Sequence, residues 1–593
     1  MVGVPGRSKA CHTCRQRRIR CDGHLPSCQN CAKSRRVCTG YQRKHAFILS
    51  KDMVADGPGD ASAPPPDQSS SQLLPDLPDA SDSGQVMVSR WRAADQSSAP
   101  RVPSSSASSL SRASSRAGSK LLAQARASPP LPPPEISVHN IFRDRIFALF
   151  AENNLLTTDA APLSVGDAMQ QSFGERGDWM VRIMNLSELT PSLEDSLLAA
   201  CTARLGRHLN HAALVRESQR LYAKGLSAMR RDVNRLKSTW VANEQNLAAC
   251  LALMLYEISE CPAGSPDGYK VHYQGAMELM RIRGPVAHQS GLAHSVFQIM
   301  RLHSVFQNII RSSSNFLAQS RWRELPWAPH PKSKTPFDFL IDILLDVPDL
   351  SVRRQALERS LEARGDLRRA LLDGLECVGE GRRIEAVLEA WHDRFRAVAP
   401  GALYHPELSQ MASALDSSEA GKVFPVIFRF PSFIVGQNML YYWITLMSVQ
   451  AHLCFTYASL AQLSDTLDSV GRDNLVCTCT CAGVAEPATC LRHFAVELLP
   501  PLGHREEWPT GPAYHICQSI EYFMLHHARA FGPASVIPGL LLVKAYWMFA
   551  PADMSREMTW VNEMLCRVRT GGGSIAGPLM RLRINRGVLT IVD

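Results

Sequence analysis

Six cysteines near the start of the chain have the residue type and the spacing of metal ligands. They form two halves that share the spacing Cys-x2-Cys-x6-Cys and repeat at an offset of 17 residues. The ligands are Cys11, Cys14 and Cys21 in the first half, and Cys28, Cys31 and Cys38 in the second. A tetrahedral zinc ion takes four ligands, whereas each half offers three thiolates. Six thiolates satisfy two ions only if two sulfurs bridge, so the spacing predicts two Zn²⁺ ions that share ligands.

The segment that holds these cysteines also holds nearly all of the excess positive charge. Residues 1–50 contain eleven Lys and Arg residues and one acidic residue, Asp22, a net charge of +10, whereas the whole chain of 593 residues has +9. Two zinc ions with six thiolates carry about −2, so only a few of these cations are needed to neutralise a cluster. The remaining positive charge indicates a polyanionic partner, most commonly nucleic acid.

The residues between the cysteines add a family resemblance. The chain has Pro26 in the loop between the halves, and it contains the runs Cys11-His12-Thr13-Cys14-Arg15-Gln16-Arg17-Arg18-Ile19-Arg20-Cys21 and Cys28-Gln29-Asn30-Cys31. With all six ligand positions matched, it resembles the fungal binuclear zinc cluster transcription factors. The resemblance implies that Cys11 and Cys28 bridge the two metals and that Arg17 and Arg18 contact base edges.

In that family the DNA triplet is typically CGG. Arginine can donate two hydrogen bonds to guanine O6 and N7, so a G-rich triplet in the major groove of double-stranded DNA is the expected target. The other basic side chains of the segment are better assigned to phosphates. These are Arg15, Arg20, Lys33, Arg35, Arg36, Arg43 and Lys44.

Other thiolate modules were weighed against this interpretation. Two unrelated zinc knuckles or a redox Cys-x2-Cys pair would also use cysteines, but neither explains two identical halves. A third alternative is a module whose metal only staples a surface for protein contacts. Salt-dependent DNA binding of this segment would separate that alternative from a DNA-binding domain.

The composition changes after residue 50. Residues 51–136 are rich in Ser, Pro, Asp and Ala and have few aromatic or β-branched residues, so we expect a disordered linker. Ser114, Ser119 and Ser128 follow arginine or precede proline there, which suggests kinase sites that would add negative charge near the basic segment. Solvating filler is an equally acceptable interpretation of these serines.

Helical periodicity begins near residue 137 and continues through the chain. Ser192 with Asp195 suggests a capping box, Leu247 to Leu255 suggests a buried helix, and Gly284-Pro285 suggests a helix end. The uncharged stretch from Phe430 to Ser464 is interrupted by polar residues, which favours a buried core helix over a membrane span. The predicted fold is a small zinc-stapled domain at 1–50, a disordered linker, and a large all-α domain at 137–593.

The helical region also resembles the fungal-specific transcription factor domain found in one branch of these regulators. The resemblance is carried by short pieces in a characteristic order rather than by one motif. They are Leu205-Gly206-Arg207, Leu255-Tyr256-Glu257, His272-Tyr273-Gln274-Gly275-Ala276, Arg283-Gly284-Pro285, Asn315-Phe316-Leu317, Trp322-Arg323-Glu324-Leu325-Pro326-Trp327, Ile516-Cys517-Gln518-Ser519-Ile520-Glu521-Tyr522 and Gly532-Pro533. The resemblance implies ligand sensing, self-association or activation, with no defined chemistry.

A catalytic constellation is not visible in the sequence. It contains no phosphate loop, dinucleotide fingerprint, Gly-x-Ser-x-Gly elbow or His-Glu-x-x-His. The chain is therefore not expected to be an enzyme, although an enzyme with a fused zinc module was weighed as an alternative. Cys477, Cys479, Cys481 and Cys490 could bind a soft metal such as Cu(I), but incidental reduced thiols in a loop are favoured.

These interpretations lead to expected partners and a location. The start of the chain lacks the apolar core of a secretory signal. We expect a nuclear protein that binds double-stranded DNA and transcription machinery or co-regulators and contacts no membrane. A homodimer is compatible with the sequence, although no leucine heptads follow the cysteine segment.

Overall fold

The structure is a computed structural model that describes two parts of the chain. In the N-terminal part it describes residues 13–14, 17, 19, 21–22, 28–34, 36 and 38. After that part it describes residues 138–154, 179–180, 182–362, 366–399, 401–417, 419, 421–472, 490–502, 510–525, 531–550, 553–570, 573–574, 576, 582–585 and 588–591. The expected disordered linker at 51–136 lies outside the described residues. The chain divides into two compact units, Met1–Trp91 and Arg92–Asp593.

The described part of the first unit contains one short helix, α1 (Gln29–Lys33). Cys28 is the residue before the helix, and its side chain accepts a hydrogen bond from the backbone N–H of Cys31 at 3.2 Å. Three of the cysteines are fully buried against one another: Cys14, Cys28 and Cys31. The core of this unit is therefore built from sulfur rather than from aliphatic side chains.

Helices dominate the described part of the second unit, which confirms the helical prediction for this domain. They are α2 (Val138–Asn154), α3 (Pro191–His208), α4 (Ala212–Ala242), α5 (Glu244–Glu260), α6 (Asp267–Arg283), α7 (Gly291–Arg311), α8 (Ser320–Glu324), α9 (Pro336–Leu344), α10 (Val347–Glu362), α11 (Leu367–Val398), α12 (Phe433–Val470), α13 (Thr510–Met524), α14 (Phe531–Trp547) and α15 (Ser555–Thr570). Consecutive helices pack on one another, α3 with α4 and α5, and α12 with α10, α11 and α13.

Two short antiparallel hairpins accompany the helices. β1 (His405–Leu408) pairs with β2 (Val426–Arg429), with His405 opposite Arg429, and β3 (Leu582–Asn585) pairs with β4 (Val588–Ile591). Each strand has four residues, which is too short for an alternating pattern to stand out in the sequence. β2 packs against α13 and contributes the buried Ile427 and Phe428 to the core.

The start of α3 differs from the sequence expectation. Thr190, not Ser192, is the N-cap residue, and its hydroxyl accepts from the backbone N–H of Leu193 at 3.4 Å. Pro191 explains the shift, because proline suits the first helical position and lets the helix begin two residues earlier. Asp195 is therefore not part of a capping box. It is buried and binds Lys224 of α4 at 2.8 Å.

Other sequence expectations for the helices are confirmed. Residues 247–254 of α5 are all buried, and α6 ends at Gly284, whose φ of 73° suits glycine. Among the described residues, α12 is the one helix long and apolar enough to cross a membrane by length and composition. Its most apolar stretch is 72% buried inside the structure, as expected for a core helix.

A buried ion cluster joins α7 to α9. Arg301 of α7 is 1% exposed, and its guanidinium donates to the backbone oxygen of Asp338 at 3.1 Å and to the carboxylate of Asp342. Lys334 binds the same Asp342 carboxylate. Both cations lie over the ring of Trp327, with 4.7 Å from Arg301 Cζ and 4.6 Å from Lys334 Nζ to its centroid. Buried charges of this kind persist only when they are paired.

Candidate zinc cluster and nucleic-acid interface

The structure brings sulfur atoms of the two cysteine halves together. Cys14 Sγ of the first half lies 3.5 Å from Cys28 Sγ and 3.9 Å from Cys31 Sγ of the second half. The three sulfur atoms all lie within 4.8 Å of one another and are buried. Cys21 and Cys38 are half-buried and pack against this group. Cys11, the predicted first ligand, lies outside the described residues.

The sulfur spacing fits a tetrahedral metal. With Zn–S bonds of about 2.3 Å, two sulfurs on one tetrahedral zinc ion lie about 3.8 Å apart. The distances from Cys14 Sγ to the other two sulfurs are close to that value, and the five described cysteines of the segment form no disulfide. The donor set is entirely thiolate, which suits zinc in a structural site.

Cys28 contacts cysteines of both halves through its thiol and its backbone amide. Its Sγ lies beside Cys14 and accepts from the amide of Cys31, and its own amide donates to Cys38 Sγ at 3.5 Å. N–H donors of this kind stabilise the negative charge of a thiolate. Cys28 therefore contacts Cys14 of the first half as well as Cys31 and Cys38 of its own half.

The two halves also repeat in their backbone hydrogen bonds. The amide of Ile19 donates to Cys14 O at 3.0 Å, and 17 residues later the amide of Arg36 donates to Cys31 O at 3.0 Å. The amides of Arg17 and Ser34 likewise donate to the carbonyl four residues earlier, at 3.1 and 3.3 Å. The duplicated spacing in the sequence therefore corresponds to a duplicated local fold.

Asp22 joins the two halves, and the sequence analysis gave it no role. Its Oδ1 accepts from the amide of Gln29 at 3.1 Å, and its Oδ2 accepts from the amide of Asn30 at 2.9 Å. A carboxylate that accepts from the first amides of a helix stabilises that end. One signal could have found it, because Asp22 is the single acidic residue among eleven basic ones in residues 1–50.

Three of the predicted DNA-contacting side chains are described, and all three are exposed: Arg17, Lys33 and Arg36. Lys33 is in the last turn of α1. Arg17 Nη1 donates to Ser34 Oγ at 3.0 Å, so this side chain is oriented across the two halves. The other predicted contacts lie outside the described residues. They are Arg15, Arg18, Arg20, Arg35, Arg43 and Lys44.

Comparison with known protein families agrees with both family resemblances. Residues 9–46 match the fungal Zn(2)-Cys(6) binuclear cluster domain, and residues 164–364 match the fungal specific transcription factor domain. Over these two stretches the chain is similar to the two domains of fungal Zn(2)-Cys(6) transcription factors. The second match covers α3 to α10, and the helices after it belong to the same compact unit.

Three curated relatives match parts of the chain. An uncharacterized protein of Emericella nidulans is 26% identical over 218 residues, which cover 35% of this chain and 46% of that protein. White-opaque regulator 2 of Candida albicans is 56% identical over 32 residues, 5% of this chain and 7% of the relative. An uncharacterized transcriptional regulatory protein of Schizosaccharomyces pombe is 61% identical over 31 residues, 5% of this chain and 6% of the relative. Each match thus spans less than half of the relative. No solved structure matches the chain.

Pieces of the predicted fungal-specific domain meet in the structure at Tyr222 of α4. The Tyr222 hydroxyl donates to Glu257 Oε1 at 2.6 Å and lies 2.9 Å from His272 Nε2, and the Tyr256 ring stacks on Tyr222 at 4.2 Å. Burial raises the pKa of Glu257 and lowers the pKa of His272 to about 4. These motif residues build the interior of the helical domain, a packing role.

The secondary cysteine candidates carry no site in the described residues. Cys477, Cys479 and Cys481 lie outside them. Cys490 is described and buried.

Proposed function

We propose that this chain is a nuclear, sequence-specific DNA-binding regulator of transcription. Two Zn²⁺ ions bridged by Cys11 and Cys28 would fold its N-terminal domain, which recognises a G-rich, CGG-like triplet in the major groove. The helical domain regulates transcription through co-regulators or a second copy of the chain. The protein has no catalytic role in this proposal.

The observation that carries the proposal is the thiolate group of Cys14, Cys28 and Cys31. It joins residues from both halves of the repeat at a spacing that suits zinc. So short a segment lacks an aliphatic core, so metal binding has to supply its folding free energy, on the order of 10 kcal/mol. The thiolates would hold the zinc ions, and the zinc ions would have a structural role.

The exposed cations support the DNA assignment. The core cysteines are buried, whereas three basic side chains of the segment are exposed to solvent: Arg17, Lys33 and Arg36. A net charge of +10 in residues 1–50 exceeds what a zinc–thiolate cluster of about −2 requires. Phosphates would position the domain, and Arg17 with Arg18 would contact bases.

The test uses full-length protein. Metal analysis is expected to find two zinc ions per chain, and Cys14→Ser or Cys31→Ser is expected to lower that number. Selection from random duplexes is expected to enrich one G-rich triplet with wild-type protein. Cys566→Ser, a cysteine of α15 far along the chain from the cluster, is the matched control and should leave both results unchanged.

Two outcomes would reject the proposal. One zinc ion or none in wild-type protein would reject the bridged cluster. Two zinc ions without enrichment of any DNA sequence would favour the alternative in which the metal only staples a protein-contact surface.

A further inference from the structure

One face of α4 carries a row of exposed basic side chains. The members recur at helical spacing and lie within about 100° of the helix circumference. They are Arg216, Arg220, Lys224, Arg231 and Arg235. The row, named here the α4 basic row, spans 20 residues of helix from Arg216 to Arg235, an axial rise of about 29 Å at 1.5 Å per residue.

Acidic neighbours neutralise only part of the α4 basic row. Arg220 pairs with Glu217 at 2.6 Å, and Lys224 pairs with Asp195 at 2.8 Å. Among the residues that the structure describes, the other three members have no ion pair or hydrogen bond. They are Arg216, Arg231 and Arg235. The one further acidic residue of α4 is Asp232, which lies three residues before Arg235, and the structure has no ion pair between these two described residues.

On other helices of this domain, some exposed arginines pair with an acidic residue three positions earlier. On α6, Arg281 has Glu278 three residues away, and on α11, Arg383 has Glu380 at the same spacing. In the α4 basic row, arginine instead follows arginine at i, i+4, as in Arg231 and Arg235. Like charges at that spacing destabilise a helix. The row therefore weakens the isolated helix, and an external anion would offset that cost.

The surroundings of the row favour phosphate over an acidic peptide. Acidic activation segments combine carboxylates with hydrophobic side chains, and they need an apolar surface beside the cations. Among the side chains that the structure describes, no large hydrophobic residue of α4 is exposed, and none is exposed between Leu209 and Val286. Arginine donates two parallel hydrogen bonds to a phosphate, and this pairing needs no apolar surface.

We propose that the α4 basic row binds the phosphate backbone of duplex DNA outside the triplet contacted by the zinc cluster. This inference rests on the proposed function, which brings DNA to the chain and raises its local concentration at the tethered helical domain. The row has no base contacts in this proposal, so it adds affinity and salt dependence without sequence preference. Its contribution grows with the length of DNA beyond the triplet.

The test compares full-length variants on two duplexes that contain the selected triplet, one of about 15 base pairs and one of about 45. The row variant carries Arg216→Gln, Arg231→Gln and Arg235→Gln. The control variant carries Arg394→Gln, Arg396→Gln and Arg569→Gln, three exposed arginines of α11 and α15 that also make no ion pair. Both variants lose three positive charges, so a difference between them reports position rather than net charge.

On the long duplex, the row variant is expected to lose about 2.7 units of the slope of log affinity against log salt, at about 0.9 per phosphate contact. The control variant should keep the wild-type slope, and both should match wild type on the short duplex. Equal slopes for all three proteins on the long duplex would overturn the inference. So would a row variant that keeps its DNA slope but no longer binds polyglutamate, which would identify an acidic peptide as the partner.

Failure of this inference is distinct from failure of the proposed function. If wild-type protein selects a triplet and the row variant has the same salt slope as wild type, only the α4 contact is rejected. Wild-type protein that selects no DNA rejects the proposed function and this inference with it. Cys31→Ser separates the two sites, because it should abolish triplet selection and keep the length-dependent, non-selective binding.

Discussion

Arg17 and Ser34 occupy the same position in the two halves of the repeat, and they bind each other. Arg17 Nη1 donates to Ser34 Oγ at 3.0 Å, while Ser34 Oγ donates to Asn30 O at 2.7 Å. The equivalent position is an arginine in the first half and a serine in the second, and the serine hydroxyl accepts the hydrogen bond that orients the arginine. The duplication has diverged into a complementary pair.

Ser34→Ala is expected to weaken specific DNA binding about two- to tenfold. In the proposed complex Arg17 contacts a base, and without Ser34 it would pay about 0.5–1.5 kcal/mol more to become ordered on binding. Binding to a random duplex should change little. Ser34→Thr keeps the hydroxyl and is the control. Equal affinities of the Ala and Thr variants for the selected site would contradict the orienting role.

Asp22→Ala is expected to make the zinc cluster easier to strip. The variant loses the carboxylate that accepts from the amides of Gln29 and Asn30, a loss of about 0.5–2 kcal/mol for a helix cap. Titration with a chelator should therefore remove zinc at a concentration severalfold lower than in wild type. Gln29→Ala changes an exposed side chain of the same helix and should leave the titration unchanged.

Arg18 and Arg43 are expected to differ in the kind of DNA contact that they make. Arg18→Ala should lower discrimination for the selected site by about 1–3 kcal/mol, because a bidentate contact to guanine is lost. Arg43→Ala should weaken binding to all sequences alike and reduce the salt slope by about 1. Competition binding against selected and random duplexes at two salt concentrations measures both. The same change for both variants would disprove the division between base and phosphate contacts.

The sequence predicted the local parts of the candidate site. Ligand identity and spacing are properties of neighbouring residues, so the thiolate group of Cys14, Cys28 and Cys31 followed from the repeat. The side-chain links between the halves did not, because Arg17 with Ser34 and Asp22 with Gln29 meet only after the chain folds back. No periodicity marks such contacts in advance.

The same division applies to the helical domain. Helices such as α5 and α12 were predictable because an amphipathic or fully apolar pattern extends over many residues. The ion cluster of Arg301 was not, because its carboxylate partners are 37 and 41 residues away in sequence. The cap of α3 was misplaced because Ser192 and Asp195 imitate a capping box that begins two residues after Thr190.

Asp342→Asn is expected to destabilise the helical domain by about 3–5 kcal/mol. Asp342 binds both Arg301 and Lys334, and without its charge the buried guanidinium keeps only Asp338 as a charged partner. Denaturant unfolding of full-length protein, followed by helical circular dichroism, measures the change. Asp465→Asn, at an exposed position of α12, is the matched control and should change stability by less than about 0.5 kcal/mol. Similar unfolding midpoints for the two variants would refute the role of the ion cluster.

His452 of α12 is expected to make the helical domain sensitive to acid. Burial lowers the pKa of His452 to about 3, helped by the positive charge of Arg354, and neither ring nitrogen has a hydrogen-bond partner. The unfolded chain, with an ordinary histidine pKa near 6.5, therefore binds this proton before the folded protein does. Stability is complete above about pH 6.5 and is lost as the pH falls toward 3, by up to about 1.4 kcal/mol per pH unit.

His452→Leu should remove that contribution and also stabilise the protein at neutral pH. The replacement fills the site with an apolar side chain of similar volume and ends the cost of burying two unpaired nitrogens, about 1–3 kcal/mol. Unfolding free energies measured from pH 7 to pH 4 should decline less steeply for this variant than for wild type. His330→Leu, at an exposed position, is the matched control and should follow the wild-type curve. If His452→Leu instead lowers stability at pH 7 and keeps the wild-type slope, His452 has polar partners in solution, and the buried neutral imidazole is not the source of acid sensitivity.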